Sequence, residues 1–142
     1  MQISDEAVDF IKSFEGFSNE AYICPAGYKT IGYGHLIKDI EDIDKITNEE
    51  ALELLRQDIG RAEFTVNRLT KVYLNQNQFD MLVSFTYNLG GGAYQRSSLR
   101  SKVNREEHEL VPFEFGKWIY ANGEVLLGLV KRRKLEAEIY SC

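Results

Sequence analysis

Cysteine, proline, histidine and tryptophan are scarce in this chain, at two, two, two and one in 142 residues. Cys24 and Cys142 stand near opposite ends, which is not the disulfide framework of a small secreted domain, so both thiols are expected to be free. Together with His35 and His108 they also lack the close spacing of a zinc site, and no metal is expected. Phosphate-binding fingerprints are missing too, since Gly90-Gly91-Gly92 lacks the strand-to-helix setting that such a loop needs. No apolar run approaches the roughly 20 residues that cross a bilayer. The opening Met-Gln-Ile-Ser-Asp-Glu has neither the basic nor the apolar region of a signal peptide. Excess positive charge is absent as well: 17 basic against 22 acidic side chains leave −5, which removes the electrostatic reason to bind nucleic acid or an anionic membrane.

What remains is 44% hydrophobic and 27% charged, the balance of a soluble globular chain, and its length fits one domain, residues 1–142, with two lobes. Ser4 followed by Asp5 and Glu6 reads as a helix start, and Ala7, Val8, Ile11 and Phe14 recur at helical spacing up to Glu15, with Gly16 as a stop. Pro25, Gly27, Gly32 and Gly34 divide the next twenty residues into short extended pieces, and residues 28–33 alternate as one strand of a small hairpin sheet. Thr47-Asn48-Glu49-Glu50 reads as a capping box for a helix to about Leu69. Asn75 and Gln78 repeat that logic before a nearly all-round apolar stretch from Phe79 to Tyr87, a buried helix that Gly90-Gly91-Gly92 should end. Short helices are expected over 97–103 and 112–120, a tight turn at Asn122-Gly123, and a basic terminal helix over 129–140. The pattern predicts an α+β fold, mostly α, with a small sheet lobe, a helical lobe and a ligand cleft.

The stretch "FEGFSNEAYICPAGYKTIGYGH", residues 14–35, concentrates the chemistry. Cleaving a glycosidic bond requires an acid that protonates the leaving oxygen while water or a nucleophile reaches the anomeric carbon. Glu15, between Phe14 and Phe17, is placed where desolvation would help a carboxyl keep its proton. Taken singly, each residue has a plainer reading: Glu15 as a solvated helix end, Cys24 as a small hydrophobe, Thr30 as an ordinary strand residue. The spacing is more specific. Glu15, eight residues, Cys24, five residues and Thr30 within "TIGYGH" resembles the phage-type lysozymes of glycoside hydrolase family 24, whose motif is Glu, eight residues, Asp or Cys, five residues, Thr. The resemblance is nearest to the lambdoid-phage endolysin branch. It continues in "LNQNQFDMLVSFTYNLGGGAYQRSSL", residues 74–99, and "GKWIYANGEVLLGLVKRRKLEAEIY", residues 116–140.

That resemblance implies a lysozyme-like fold and hydrolysis of the β-1,4 bond between N-acetylmuramic acid and N-acetylglucosamine in peptidoglycan, during host lysis by a phage or prophage. It makes Glu15 the general acid, Cys24 the occupant of the second catalytic position and Thr30 the holder of the attacking water. Arg133 is implied as the terminal-helix arginine that contacts the glutamate, with Arg132 second, and Asn88 and His35 as substrate-binding or supporting residues. The implied partner is the glycan strand, met by a monomer that waits in the host cytoplasm until another protein permeabilises the membrane. Two other readings stay open on residues alone: a cysteine hydrolase pairing Cys24 with His35, and a wall-binding module without catalysis.

Overall fold

The computed structural model describes residues 1–41 and 43–142, in two compact units: Val8–Gly60, and Met1–Ala7 together with Arg61–Cys142. Helix α1 (Asp5–Phe14) starts as its sequence requires, with the Ser4 hydroxyl accepting the Ala7 N–H at 3.2 Å and Asp5 and Glu6 in the positive first turn. Three strands follow, β1 (Ser18–Ile23), β2 (Lys29–Gly32) and β3 (His35–Leu36), in an antiparallel sheet of order β1-β2-β3. Tyr22 pairs with Thr30 and Ile23 with Lys29, and on the other side of β2, Ile31 pairs with His35. The sequence points to β2 but not to β1, whose side chains are mostly exposed and therefore leave little hydrophobic alternation.

Helix α2 (Asn48–Leu69) begins on the expected capping box: Thr47 Oγ1 accepts the Glu50 N–H and Glu50 Oε1 accepts the Thr47 N–H, both at 3.1 Å. Its buried Ala51, Leu55 and Ile59 join Val8, Ile11 and Ile31 as the core of the Val8–Gly60 unit. Gly32, at φ +67°, closes β2 against this helix. A Cβ there would lie 3.0 Å from Ile46 Cδ1 and 3.2 Å from Ala51 Cβ. Gly32→Ala is therefore expected to cost about 1–3 kcal/mol, from a left-handed backbone and a crowded neighbour together, read as a lower midpoint in chemical denaturation.

In the other unit, α3 (Gln76–Leu89) carries the Asn75/Gln78 capping box and buries every residue from Phe79 to Thr86, as its apolar surround predicts. The glycine run corrects the sequence reading. Gly90 (φ +94°) does stop α3, but Gly91 and Gly92 open α4 (Gly91–Arg96). A Cβ at Gly91 would lie 3.2 Å from Thr65, so a small residue lets two helices approach closely there. Helix α5 (Ser98–Asn104) is capped by Ser97, and after a 3-10 turn, His108–Leu110, α6 (Val111–Phe115) is shorter than expected. The chain beyond it turns into a second hairpin, β4 (Tyr120–Ala121) and β5 (Glu124–Val125), around Asn122 (φ +53°) and Gly123 (φ +79°). The terminal helix α7 (Leu127–Tyr140) starts two residues earlier than its apolar spacing suggests. Phe85 is the hub of this core, with Phe115 and Trp118 edge-on at 5.7 and 5.5 Å. Among the described residues no helix is long and apolar enough to cross a membrane.

Candidate active site

Glu15 follows the last turn of α1, its N–H donating to Lys12 O at 3.1 Å, and its side chain is half-buried. A Cβ built on Gly34 (φ +85°) would lie 3.5 Å from Glu15 Oε2, which places the carboxyl at the β2–β3 turn beside a residue with no side chain. The aromatic neighbours foreseen for Glu15 pack on other rings: Phe14 on Phe10 and Phe17 on Tyr33, each with centroids 5.0 Å apart.

Cys24 stands where β1 turns into β2. Its N–H donates to Tyr28 O at 2.9 Å, and the Gly27 N–H returns to Cys24 O at 2.8 Å, with Gly27 at φ +89° completing the turn. The turn leaves the thiol near the N–H groups of Ala26, Gly27 and Tyr28. They hold Cys24 below the ordinary thiol range, the Tyr28 N–H foremost; burial acts the other way, and the Thr30 hydroxyl and the Ala26 and Gly27 N–H groups add to the lowering. Both cysteines are free thiols, as their separation suggests.

Thr30 is buried on β2, and its hydroxyl donates to Tyr28 O at 2.9 Å. A hydroxyl carries one proton, so Thr30 serves either the Tyr28 carbonyl or a Cys24 thiolate at any moment. While it donates to the carbonyl its lone pairs remain available as acceptors, the arrangement a bound water needs.

His35 is tied on both sides. Nδ1 lies 2.9 Å from Asp58 Oδ2, and Nε2 lies 3.2 Å from both carboxylate oxygens of Glu41. Glu41 also accepts the Lys38 N–H at 2.8 Å, and that bond, with His35 in support, holds its carboxyl below the usual range. His35 thus joins β3 to α2 and to the following loop. Sequence reasoning missed both carboxylates. Asp58 had a signal, since it lies three residues after Leu55 and seven after Ala51, on the edge of an otherwise apolar stripe. Glu41 had none.

Asn88 and Arg133 meet in the second unit, the guanidinium donating to Asn88 Oδ1, pairing with Glu136 Oε1 at 2.9 Å and lying 5.3 Å from the Phe85 ring centroid. Within the basic run 131–134, Lys131 and Lys134 are exposed, but Arg132 and Arg133 are buried with Glu136 and Ser84. A buried carboxylate at i+3 and i+4 lets two arginines turn inward.

The three-stranded sheet thus carries Cys24 and Thr30 on its β1–β2 side and turns at Gly34 beside the Glu15 carboxyl. Comparison with known proteins places the chain as a whole. Residues 12–136 match the family model described as phage lysozyme. The chain is 41% identical to an endolysin of Bacillus phage PZA over 143 aligned positions, which cover 99% of the chain and 55% of that protein. It spans about half the length of the Bacillus phage relatives it matches. Among solved structures, an endolysin from the Escherichia coli O157:H7 phage FAHEc1 superposes with TM-score 0.89 at 38% identity, covering 99% of this chain and 93% of that one. The muramidase domain of SpmX from Asticaccaulis excentricus gives TM-score 0.90 at 36% identity, covering 99% of this chain and 98% of that one. On the strength of the family match and these identities, the chain belongs to the phage lysozyme family.

Proposed function

We propose that this chain hydrolyses the β-1,4 bond between N-acetylmuramic acid and N-acetylglucosamine in peptidoglycan, in host lysis by a phage or prophage. The observation that carries this reading is the β1–β2–β3 sheet, whose first turn bears Cys24, whose middle strand bears Thr30 and whose second turn, at Gly34, lies next to Glu15. Glu15 gives its proton to the glycosidic oxygen as the C1–O bond breaks. Water held by Thr30 attacks C1, and its proton passes to the Cys24 thiolate, which inverts the anomeric centre. Cys24 suits the base because its thiol is depressed by the surrounding backbone donors. His35 fixes the sheet, while Asn88 and Arg133 fix α3 against α7. The domain spans residues 1–142 and acts as a monomer without a cofactor, reaching the wall from the cytoplasm once another protein has permeabilised the membrane.

The competing cysteine-hydrolase chemistry needs a free imidazole nitrogen facing Cys24, and both His35 nitrogens already face carboxylates. Digestion of purified walls, followed by identification of the soluble fragments, tests the proposal. New reducing ends at N-acetylmuramic acid are expected; free peptide termini alone, or no release, would reject it. Thr30→Val keeps the branched shape of a strand residue and deletes the hydroxyl. It should lower kcat at least about tenfold without a large fall in melting temperature, measured by wall turbidity and thermal unfolding.

A further inference from the structure

The same hairpin carries two tyrosines that the mechanism does not use. Side chains of a strand alternate between faces, and directly paired residues of antiparallel strands share one. The pair Tyr22 and Thr30, and the Cys24 N–H bond to Tyr28 O that extends the ladder past β1, therefore put Tyr22, Cys24, Tyr28 and Thr30 on one face. Ile23 and Lys29 point to the other, where Lys29 Nζ lies 3.8 Å from Asp44. Thr30 is 2% exposed, yet Tyr22 directly across from it is 42% exposed and Tyr28 is 61% exposed. The thiol and hydroxyl are thus framed by two aromatic rings left open to solvent, an arrangement that costs hydration without serving the core.

We infer that Tyr22 and Tyr28 are substrate-positioning residues, whose rings take the apolar C–H faces of N-acetylhexosamine units on either side of the bond to be cut. This rests on the proposed glycan hydrolysis and names the contact that would seat the chain over Cys24 and Thr30. A flat ring with a wet phenolic end suits a pyranose, which has an apolar face and a hydroxylated rim. The occupant is the sugar backbone rather than the stem peptide, because rings and not charges flank the pair.

Binding is measured apart from catalysis, by calorimetric titration of a peptide-free tetrasaccharide of alternating N-acetylglucosamine and N-acetylmuramic acid into the Glu15→Gln protein. Tyr22→Ala and Tyr28→Ala added to that background should each weaken binding about tenfold, and Tyr22→Phe and Tyr28→Phe by less than about threefold. In the otherwise native enzyme the alanine changes should raise KM on walls with kcat within about twofold, a split that a mere loss of fold would not produce. Unchanged tetrasaccharide affinity in both alanine variants, with intact circular dichroism, overturns the assignment. So does a phenylalanine variant as weak as alanine, since the contact would then be the hydroxyl. Should alanine prevent folding, Tyr22→Leu and Tyr28→Leu keep the bulk without the ring and must show the same loss. Failure of glycan hydrolysis itself would appear separately, as wild-type protein that binds the tetrasaccharide and releases no reducing ends.

Discussion

Glu15→Gln is expected to lower the rate of wall lysis by at least about 10²-fold, the scale of a general acid, while leaving thermal stability and circular dichroism unchanged. The amide keeps the size of the side chain and removes its transferable proton. Its surroundings tolerate the change sterically, because the nearest turn residue, Gly34, presents no side chain to the carboxyl. A general acid matters only while the leaving group needs a proton. Glycan oligomers with a good synthetic leaving group should therefore recover much of the lost rate in the same variant. A properly folded Glu15→Gln protein that lyses walls at the wild-type rate would remove Glu15 from the mechanism.

The second large effect is expected at Cys24. Cys24→Ala should abolish lysis to a similar extent, whereas Cys24→Asp should retain it, since a carboxylate supplies the same basic function and the same charge. The two active forms should differ in pH dependence. The base works only when deprotonated, so activity rises as pH climbs through its pKa. Cys24 lies below an ordinary thiol but is still a thiol, and aspartate titrates near 3.9, so the acidic limb of the rate profile should move to lower pH in Cys24→Asp. Rates across pH 5 to 9 on purified walls make the comparison. An aspartate variant as inactive as alanine, with its fold intact, would show that sulfur does chemistry an oxygen base cannot, as a covalent mechanism requires.

Much of the local structure was legible because capping is local chemistry. Ser4, Thr47 and Asn75 announce three helices through side chains that reach only three residues along the chain. The α3 core was equally plain from its all-round apolar surface. What escaped depended on partners distant in sequence or on elements too short for a pattern. Two-residue strands such as β4 and β5 cannot alternate visibly, so only the Asn122-Gly123 turn betrayed them. Gly91 reads as a breaker until Thr65, twenty-six positions earlier, is found against it. Arg132 and Arg133 stand in a basic run, and nothing local says that Ser84 and Glu136 will bury them. In the candidate site, the spacing of Glu15, Cys24 and Thr30 was readable as a motif, but what lowers the thiol comes chiefly from backbone N–H groups, which every residue but proline carries and no sequence pattern distinguishes.

The bracketing of His35 by Asp58 and Glu41 bears on the time for which the β2–β3 segment holds its shape. A two-residue strand has too few ladder bonds to resist fraying on its own, so its persistence depends on this imidazole more than on the backbone pairing of His35 and Leu36. Amide exchange at Ile31 and Ile37 would report that local opening. Both N–H groups should exchange by a subglobal event that quickens when His35 is replaced, well before the exchange of α3 amides responds. The lifetime of the strand pairing beside Thr30 is then expected to follow one imidazole and the two carboxylates that bracket it.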